Sequence, residues 1–174
     1  MAQAINLNFW RAAAWGGAAL LLAIPAVMTR ISPDWDWGPF DFAVFAAMLG
    51  LACLAFELTA RASRNFAHLA AAALALATAF VLVWASLAVG VIGEEGNPAN
   101  LVFVGVLAVG LIGGALVRLR PAGMTRVMLA VALTQALAAI VAAVVGVPPE
   151  GVLTAAFVAP WLVSSWLFSL AARS

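Results

Sequence analysis

Apolar residues fill long, nearly unbroken stretches of this chain, at roughly 10–28, 40–59, 66–92, 101–117, 127–147 and 152–171. Each is long enough, as a helix, to cross a hydrocarbon core of about 30 Å. Short breaks separate them and carry turn-forming residues: Ser32-Pro33-Asp34, Gly38-Pro39, Gly96-Asn97-Pro98, Pro121-Ala122-Gly123 and Pro148-Pro149-Glu150-Gly151. The strict alternation of a membrane strand is missing, and lipid offers no partner to unpaired backbone groups, so the stretches predict helices. The expected fold is all-α: one polytopic membrane bundle of about six transmembrane helices covering residues 1–174, with no connection long enough for a soluble domain. Pro25 and Pro160 fall inside the first and sixth stretches and predict kinks there.

Composition points to the same solvent. Of the 174 residues, 67% are hydrophobic and 9% are charged, against about 25% charged in a soluble domain. Net charge is +1, which gives no basic surface for nucleic acid. All basic residues other than one histidine are arginines, and their placement sets an orientation. With the N-terminus inside, Arg11, Arg61, Arg64, Arg118, Arg120, Arg126 and Arg173 face the cytoplasm and only Arg30 lies outside, as the positive-inside rule requires. Six helices then return the C-terminus to the cytoplasm. The acids segregate oppositely: Asp34, Asp36, Asp41, Glu94, Glu95 and Glu150 lie outside and Glu57 inside. A signal peptide would need a small-x-small cleavage site. In Ala23-Ile24-Pro25-Ala26 the alanines are three apart with an intervening proline, so the first stretch reads as an uncleaved helix with Trp10 at its interface.

Candidate chemistry is sparse. Without lysine there is no Schiff-base chemistry, and the single Cys53 excludes a disulfide framework or a cysteine metal site within one chain. No HExxH, Gly-x-Ser-x-Gly, SxxK or phosphate-binding loop occurs, so no enzyme activity is expected. Ionisable residues deep in a membrane are costly and mark function, but Asp41 and Glu57 lie near opposite ends of the second stretch. Glu57 and Arg61 stand four apart in the order favourable for a helical ion pair. With Arg64 and His68 beyond the turn, they form a possible titratable site, or an interfacial ion pair beside a hydrogen-bonded histidine. Because His68 is the sole histidine, a bis-histidine haem is excluded, a His–Met haem would need Met124 or Met128, and no cofactor is expected. Asp34, Asp36, Glu94 and Glu95 are weak metal candidates on an acidic outer rim; the simpler expectation is a solvated face with Trp35 and Trp37 as interfacial anchors.

Packing signals are clearer. Gly105, Gly110, Gly113 and Gly114 lie in the fourth stretch, with a GxxxG spacing from 110 to 114. Ala71, Ala75 and Ala79 share one face of the third, and Ala73 and Ala77 another. Small-residue faces let helices approach closely in lipid. Polar residues within the stretches (Thr78, Ser86, Thr134, Gln135, Ser164, Ser165) suit hydrogen bonds across such contacts or a polar path, with Gln135 the longest and most central. Gly38-Pro39-Phe40-Asp41 and Asn97-Pro98-Ala99-Asn100 each open a stretch with a proline followed two residues later by Asp or Asn, either as ordinary caps or as the mark of a duplicated hairpin.

The run from Val83-Trp84-Ala85-Ser86 through Val91-Ile92-Gly93-Glu94-Glu95-Gly96-Asn97-Pro98-Ala99-Asn100-Leu101, with Pro121-Ala122-Gly123-Met124, Thr134-Gln135-Ala136 and Leu7-Asn8-Phe9-Trp10-Arg11, resembles a family of small polytopic bacterial membrane proteins. The resemblance implies a bacterial inner membrane and carries over no activity, ligand or catalytic residue. Two functional expectations remain. One is a non-enzymatic, lipid-embedded module that packs with itself as a homo-oligomer or with a membrane-protein partner. The other is a small permease or channel subunit with a polar path near Gln135, Thr134, Thr78 and Ser86.

Overall fold

A computed structural model describes residues 7–33, 35–63, 65–88, 90–93, 96–145 and 148–174. Among them there are seven α-helices, one short 3-10 turn and no strand: α1 (Leu7–Ile31), α2 (Pro39–Ala62), α3 (Phe66–Ala88), the turn Pro98–Leu101, α4 (Val102–Leu116), α5 (Pro121–Val145), α6 (Pro148–Ala156) and α7 (Val158–Arg173). Six spans are long and apolar enough to cross a membrane, with α6 and α7 sharing the last, Gly151–Arg173. The all-α, six-span architecture expected from the hydrophobic pattern is therefore what the chain adopts.

The helices form two compact units, Met1–Arg64 and Asn65–Ser174. In the first, α1 packs on α2. Pro39 occupies the first helical position of α2, where its missing N–H costs nothing, and Asp41 Oδ2 accepts the N–H of Gly38 at 2.8 Å. Trp37 lies edge-on to Phe42 and Phe45 at 5.5 and 5.3 Å, fixing the chain as it enters α2. Pro25 is accommodated inside α1, which continues past it to Ile31.

In the second unit α5 is central, flanked by α4, α6 and α7, and α7 also packs on α3. Its apolar core includes Leu82, Val106, Met128, Val131, Ala138, Ala142, Trp161 and Phe168. Asn65 caps α3, its side chain accepting from His68 N at 3.2 Å.

Three boundaries differ most from the hydrophobic pattern, each for a local reason. Helix α3 stops at Ala88 rather than continuing to 92: Gly90 is left-handed at φ 70°, and Asn100 offers the backbone beyond it another partner. Its Oδ1 accepts from Val91 N and Ile92 N at 3.1 and 2.9 Å, and its Nδ2 donates to Ile92 O at 3.2 Å. Val91 and Ile92 are thereby drawn into the core. Helix α5 starts at Pro121, not near 127, so Pro121-Ala122-Gly123 is its first turn. The reversal itself is made at Arg118 and Leu119, both left-handed with φ of 52° and 55°. A Cβ on Gly123 would stand 2.5 Å from Val117 Cβ, so only glycine admits the end of α4 there.

Third, the sixth stretch shows the disturbance expected at Pro160 as an interruption at Phe157 between α6 and α7, with Phe157 itself keeping helical dihedrals (φ −69°, ψ −16°). Pro160 has no N–H for the carbonyl of Ala156, and its ring crowds that carbonyl. At the start of a new helix those deficits vanish, because the first N–H groups of a helix have no intrahelical partner anyway.

Asp41 and Asn100 also part company. Asp41 accepts an N–H three residues before it, whereas Asn100 reaches back to a loop eight and nine residues away. The matching four-residue openings of the second and fourth stretches thus build different structures.

Candidate functional site: the buried polar groups

Glu57 is the charged residue of the first unit around which others gather. Arg61, one turn on, donates to it, Arg11 of α1 reaches it at 2.8 Å, and Trp15 adds a hydrogen bond. The i,i+4 pairing follows from helix geometry. The Arg11 contact does not: it joins α1 to α2 across 46 residues of chain, and no spacing rule foretold it. Near it, Cys53 Sγ lies 3.5 Å from the carbonyl of Ala14. Two arginines and an indole on one carboxylate make an ion-paired clasp between antiparallel helices.

His68 belongs to the second unit. It is 1% exposed, its ring stands edge-on to Phe168 at 5.2 Å, and neither ring nitrogen has a hydrogen-bond partner. Arg64, the remaining member of the expected cluster, lies outside the described residues, as do the metal candidates Asp34, Glu94 and Glu95. Asp36 is exposed, and no group of three or more metal-ligating side chains occurs among the described residues. Met124 and Met128 are buried in the apolar core beside α4.

The polar side chains inside the second unit divide into two sets. Thr78, Ser86 and Thr134 each donate to the carbonyl four residues back in their own helix, at 2.7, 2.8 and 2.9 Å. Gln135 is not the partner of any of these three hydroxyls. Ser164, Ser165 and Gln135 instead reach across helices. Ser164 Oγ donates to Ala71 O of α3 at 2.9 Å, Ser165 Oγ to Thr125 O of α5 at 2.8 Å, and Gln135 Nε2 to Thr154 O of α6 at 3.1 Å. These three bonds tie α3, α5, α6 and α7 together from inside.

Gln135 and Thr154 are both fully buried, and Gln135 Oε1, Thr154 Oγ1 and Trp161 Nε1 lack partners. Thr154 was not foreseen. Its sequence signal is weak: a hydroxyl six residues before a mid-span proline, where helix breakage lays carbonyls open. On the α3 side of the break lies an apolar groove of about 390 Å³, lined by Ala77, Thr78, Val81, Leu153, Ala156, Phe157 and Pro160.

The glycines of α4 are not equivalent. A Cβ on Gly113 would come within 2.9 and 3.0 Å of the Val127 methyls, one on Gly110 within 3.5 Å of Val131, and one on Gly114 within 3.5 Å of Leu119 and 3.7 Å of Met124. Those three line the seam with α5 and its entry turn. Gly105 does not share it: that residue is exposed and has nothing within 4 Å of its Cβ position. The cause is helical phase, since five residues rotate the chain by about 500°, leaving Gly105 roughly 140° from Gly110. Gly151 also approaches a neighbouring helix closely, its Cβ position lying 2.7 Å from Ala143 Cβ and 3.0 Å from Ala143 Cα. Read in the sequence as a turn residue, it lies instead where α6 meets α5.

The chain matches no family model, no curated protein and no solved structure.

Proposed function

We propose that this chain is a multi-pass protein of the bacterial inner membrane, with both termini in the cytoplasm, that acts by associating with a second copy or another membrane protein and catalyses no reaction itself. The orientation follows from the seven arginines that a cytoplasmic N-terminus would place inside. The observation carrying the functional proposal is the destination of the polar side chains in the second unit. Ser164, Ser165 and Gln135 hold helices to one another, and Thr78, Ser86 and Thr134 turn back onto their own helices. That arrangement serves cohesion of a packed bundle, whereas a permeation path would have these groups facing a shared lumen.

In lipid, helices associate where small residues let backbones come close. Gly110, Gly113 and Gly114 already serve α5. Ala73, Ala77 and Gly105 are exposed and form the small-residue surface offered to a partner. Oxidative cross-linking in native membranes tests this, using Ala73→Cys, Ala77→Cys and Gly105→Cys in a Cys53→Ala background, with Leu133→Cys as control. Cross-linked species of higher mass are expected from the first three and not from Leu133→Cys. A chain that yields none, and that bleaches in single steps as a monomer, would overturn the association model.

A further inference from the structure

Just before the interruption between α6 and α7 lie polar groups that the protein's own atoms leave without partners. The carbonyl of Thr154 accepts Phe157 N at 3.3 Å and Gln135 Nε2 at 3.1 Å, which uses both lone pairs of that oxygen. Gln135 Oε1 and Thr154 Oγ1 are then left over, on two residues each 0% exposed, with no partner for either. Because the amide nitrogen and oxygen of Gln135 share one carbon, Oε1 lies beside the carbonyl its own nitrogen engages. Thr154 Oγ1 belongs to the residue that presents that carbonyl. The two orphans therefore flank one hydrogen bond, one on the donor's side and able only to accept, the other on the acceptor's residue and able to donate.

Buried polar atoms without partners are rare because each costs its full desolvation penalty. In a membrane bundle no bulk water relieves that cost. We propose that Gln135 and Thr154 form a binding site for one small, neutral hydrogen-bonding molecule, water in the cell, which accepts from Thr154 Oγ1 and donates to Gln135 Oε1. The chemistry limits the ligand. Both orphan atoms belong to uncharged side chains, so an ion bound by them would lose its hydration without a charge in direct contact. Such a bound water would hold α6 against α5 at the point where the span is broken, extending a single Gln135–Thr154 bond into a closed network.

The test uses the full-length protein in detergent. Thr154→Val keeps the side chain's shape and removes the hydroxyl; Thr154→Ser keeps the hydroxyl and removes a methyl. A water site predicts that Thr154→Val lowers the melting midpoint by about 2–4 °C, while Thr154→Ser lies closer to wild type. It also predicts that Thr154→Val and Gln135→Met combine to less than the sum of their separate effects. A structure that resolves ordered water should place density between Gln135 Oε1 and Thr154 Oγ1, and Thr154→Val should remove it. Three outcomes overturn the proposal: a rise in melting midpoint for Thr154→Val, as expected for an unfilled orphan hydroxyl; Thr154→Ser less stable than Thr154→Val, as expected for packing alone; or additive single variants. If Gln135→Met does not fold, the contrast at position 154 still decides.

Discussion

Adding one methyl group at each of four glycines should produce a graded series set by distance alone. At Gly105 the new Cβ meets open space, so Gly105→Ala brings only the helix-propensity gain, up to about 1 kcal/mol. At Gly110 the nearest atom is 3.5 Å away, an ordinary contact, and Gly110→Ala should be neutral or slightly stabilising. At Gly113 the Cβ would lie 2.9 Å from Val127 Cγ1 and 3.0 Å from Cγ2. Valine in a helix is confined almost wholly to one rotamer, so it cannot swing clear and α4 must move off α5. Overpacking of that kind costs about 1–3 kcal/mol, and subtracting the propensity gain of about 1 leaves a net loss of about 1 kcal/mol, or roughly 2–4 °C in melting midpoint. Trimming the obstacle should reverse the sign: in a Val127→Ala background, Gly113→Ala should stabilise. At Gly151 the obstacle includes Ala143 Cα at 3.0 Å, which no side-chain change removes, so Gly151→Ala should cost more than Gly113→Ala and resist rescue by Ala143→Gly. Thermal unfolding in one detergent, with all variants side by side, measures the series. If Gly113→Ala is as stable as Gly105→Ala, or Val127→Ala fails to rescue it, the seam between α4 and α5 is not packed as described.

Larger side chains should extend the same pattern: Gly110→Leu and Gly114→Leu should each lower the melting midpoint or dissociate an oligomer, while Leu111→Ala, at a position 76% exposed, should do much less. Ser164→Ala and Ser165→Ala should each cost about 0.6 kcal/mol, the usual worth of an interhelical hydrogen bond in a membrane protein, checked by unfolding under the same conditions. Glu57→Gln and Arg11→Gln should loosen α1 from α2, raising the cross-linking distance measured between spin labels on the two helices, and leave cellular function intact; full loss of function in a well-folded Glu57→Gln protein would give the clasp a role beyond structure. Cysteines at Asp36 and Gly96 should react with an impermeant maleimide from outside in a Cys53→Ala background and one at Arg120 should not; labelling at Arg120 from outside would refute the proposed orientation.

Most of the architecture was legible because lipid simplifies the code. A membrane span must satisfy its backbone internally, so a long apolar run leaves only the helix, and six runs gave six spans. What the pattern could not supply was anything decided by a single side chain competing for backbone. Asn100 holds the segment after α3 by offering Oδ1 to the N–H groups of Val91 and Ile92, and the local warning was Gly90, left-handed at φ 70° just past the end of α3. Pro160 was visible as a disturbance, but whether a proline kinks or breaks a span depends on what else can take up the freed carbonyls.

Close to that interruption Gln135, nineteen residues earlier on α5, reaches the carbonyl of Thr154, whereas the carbonyl that Pro160 leaves without a donor is that of Ala156. Sequence reasoning found Gln135 because a long amide in an apolar helix is conspicuous, and it missed Thr154 because a threonine in a membrane helix is ordinary, usually bonding back to its own turn. The small-residue stripe shows the same limit from another side. Counting glycines put Gly105 with Gly110, Gly113 and Gly114, whereas phase separates it from them, and Gly151, which had looked like a turn residue, makes a close contact with α5. Residue type proposes which groups can meet; the angle at which each leaves its helix, and the partner that breaks or caps that helix, decide which do. For this protein that decision places the buried amide against a broken helix, which is why the hydroxyl of Thr154 is the group whose removal most sharply separates a filled polar site from an empty one.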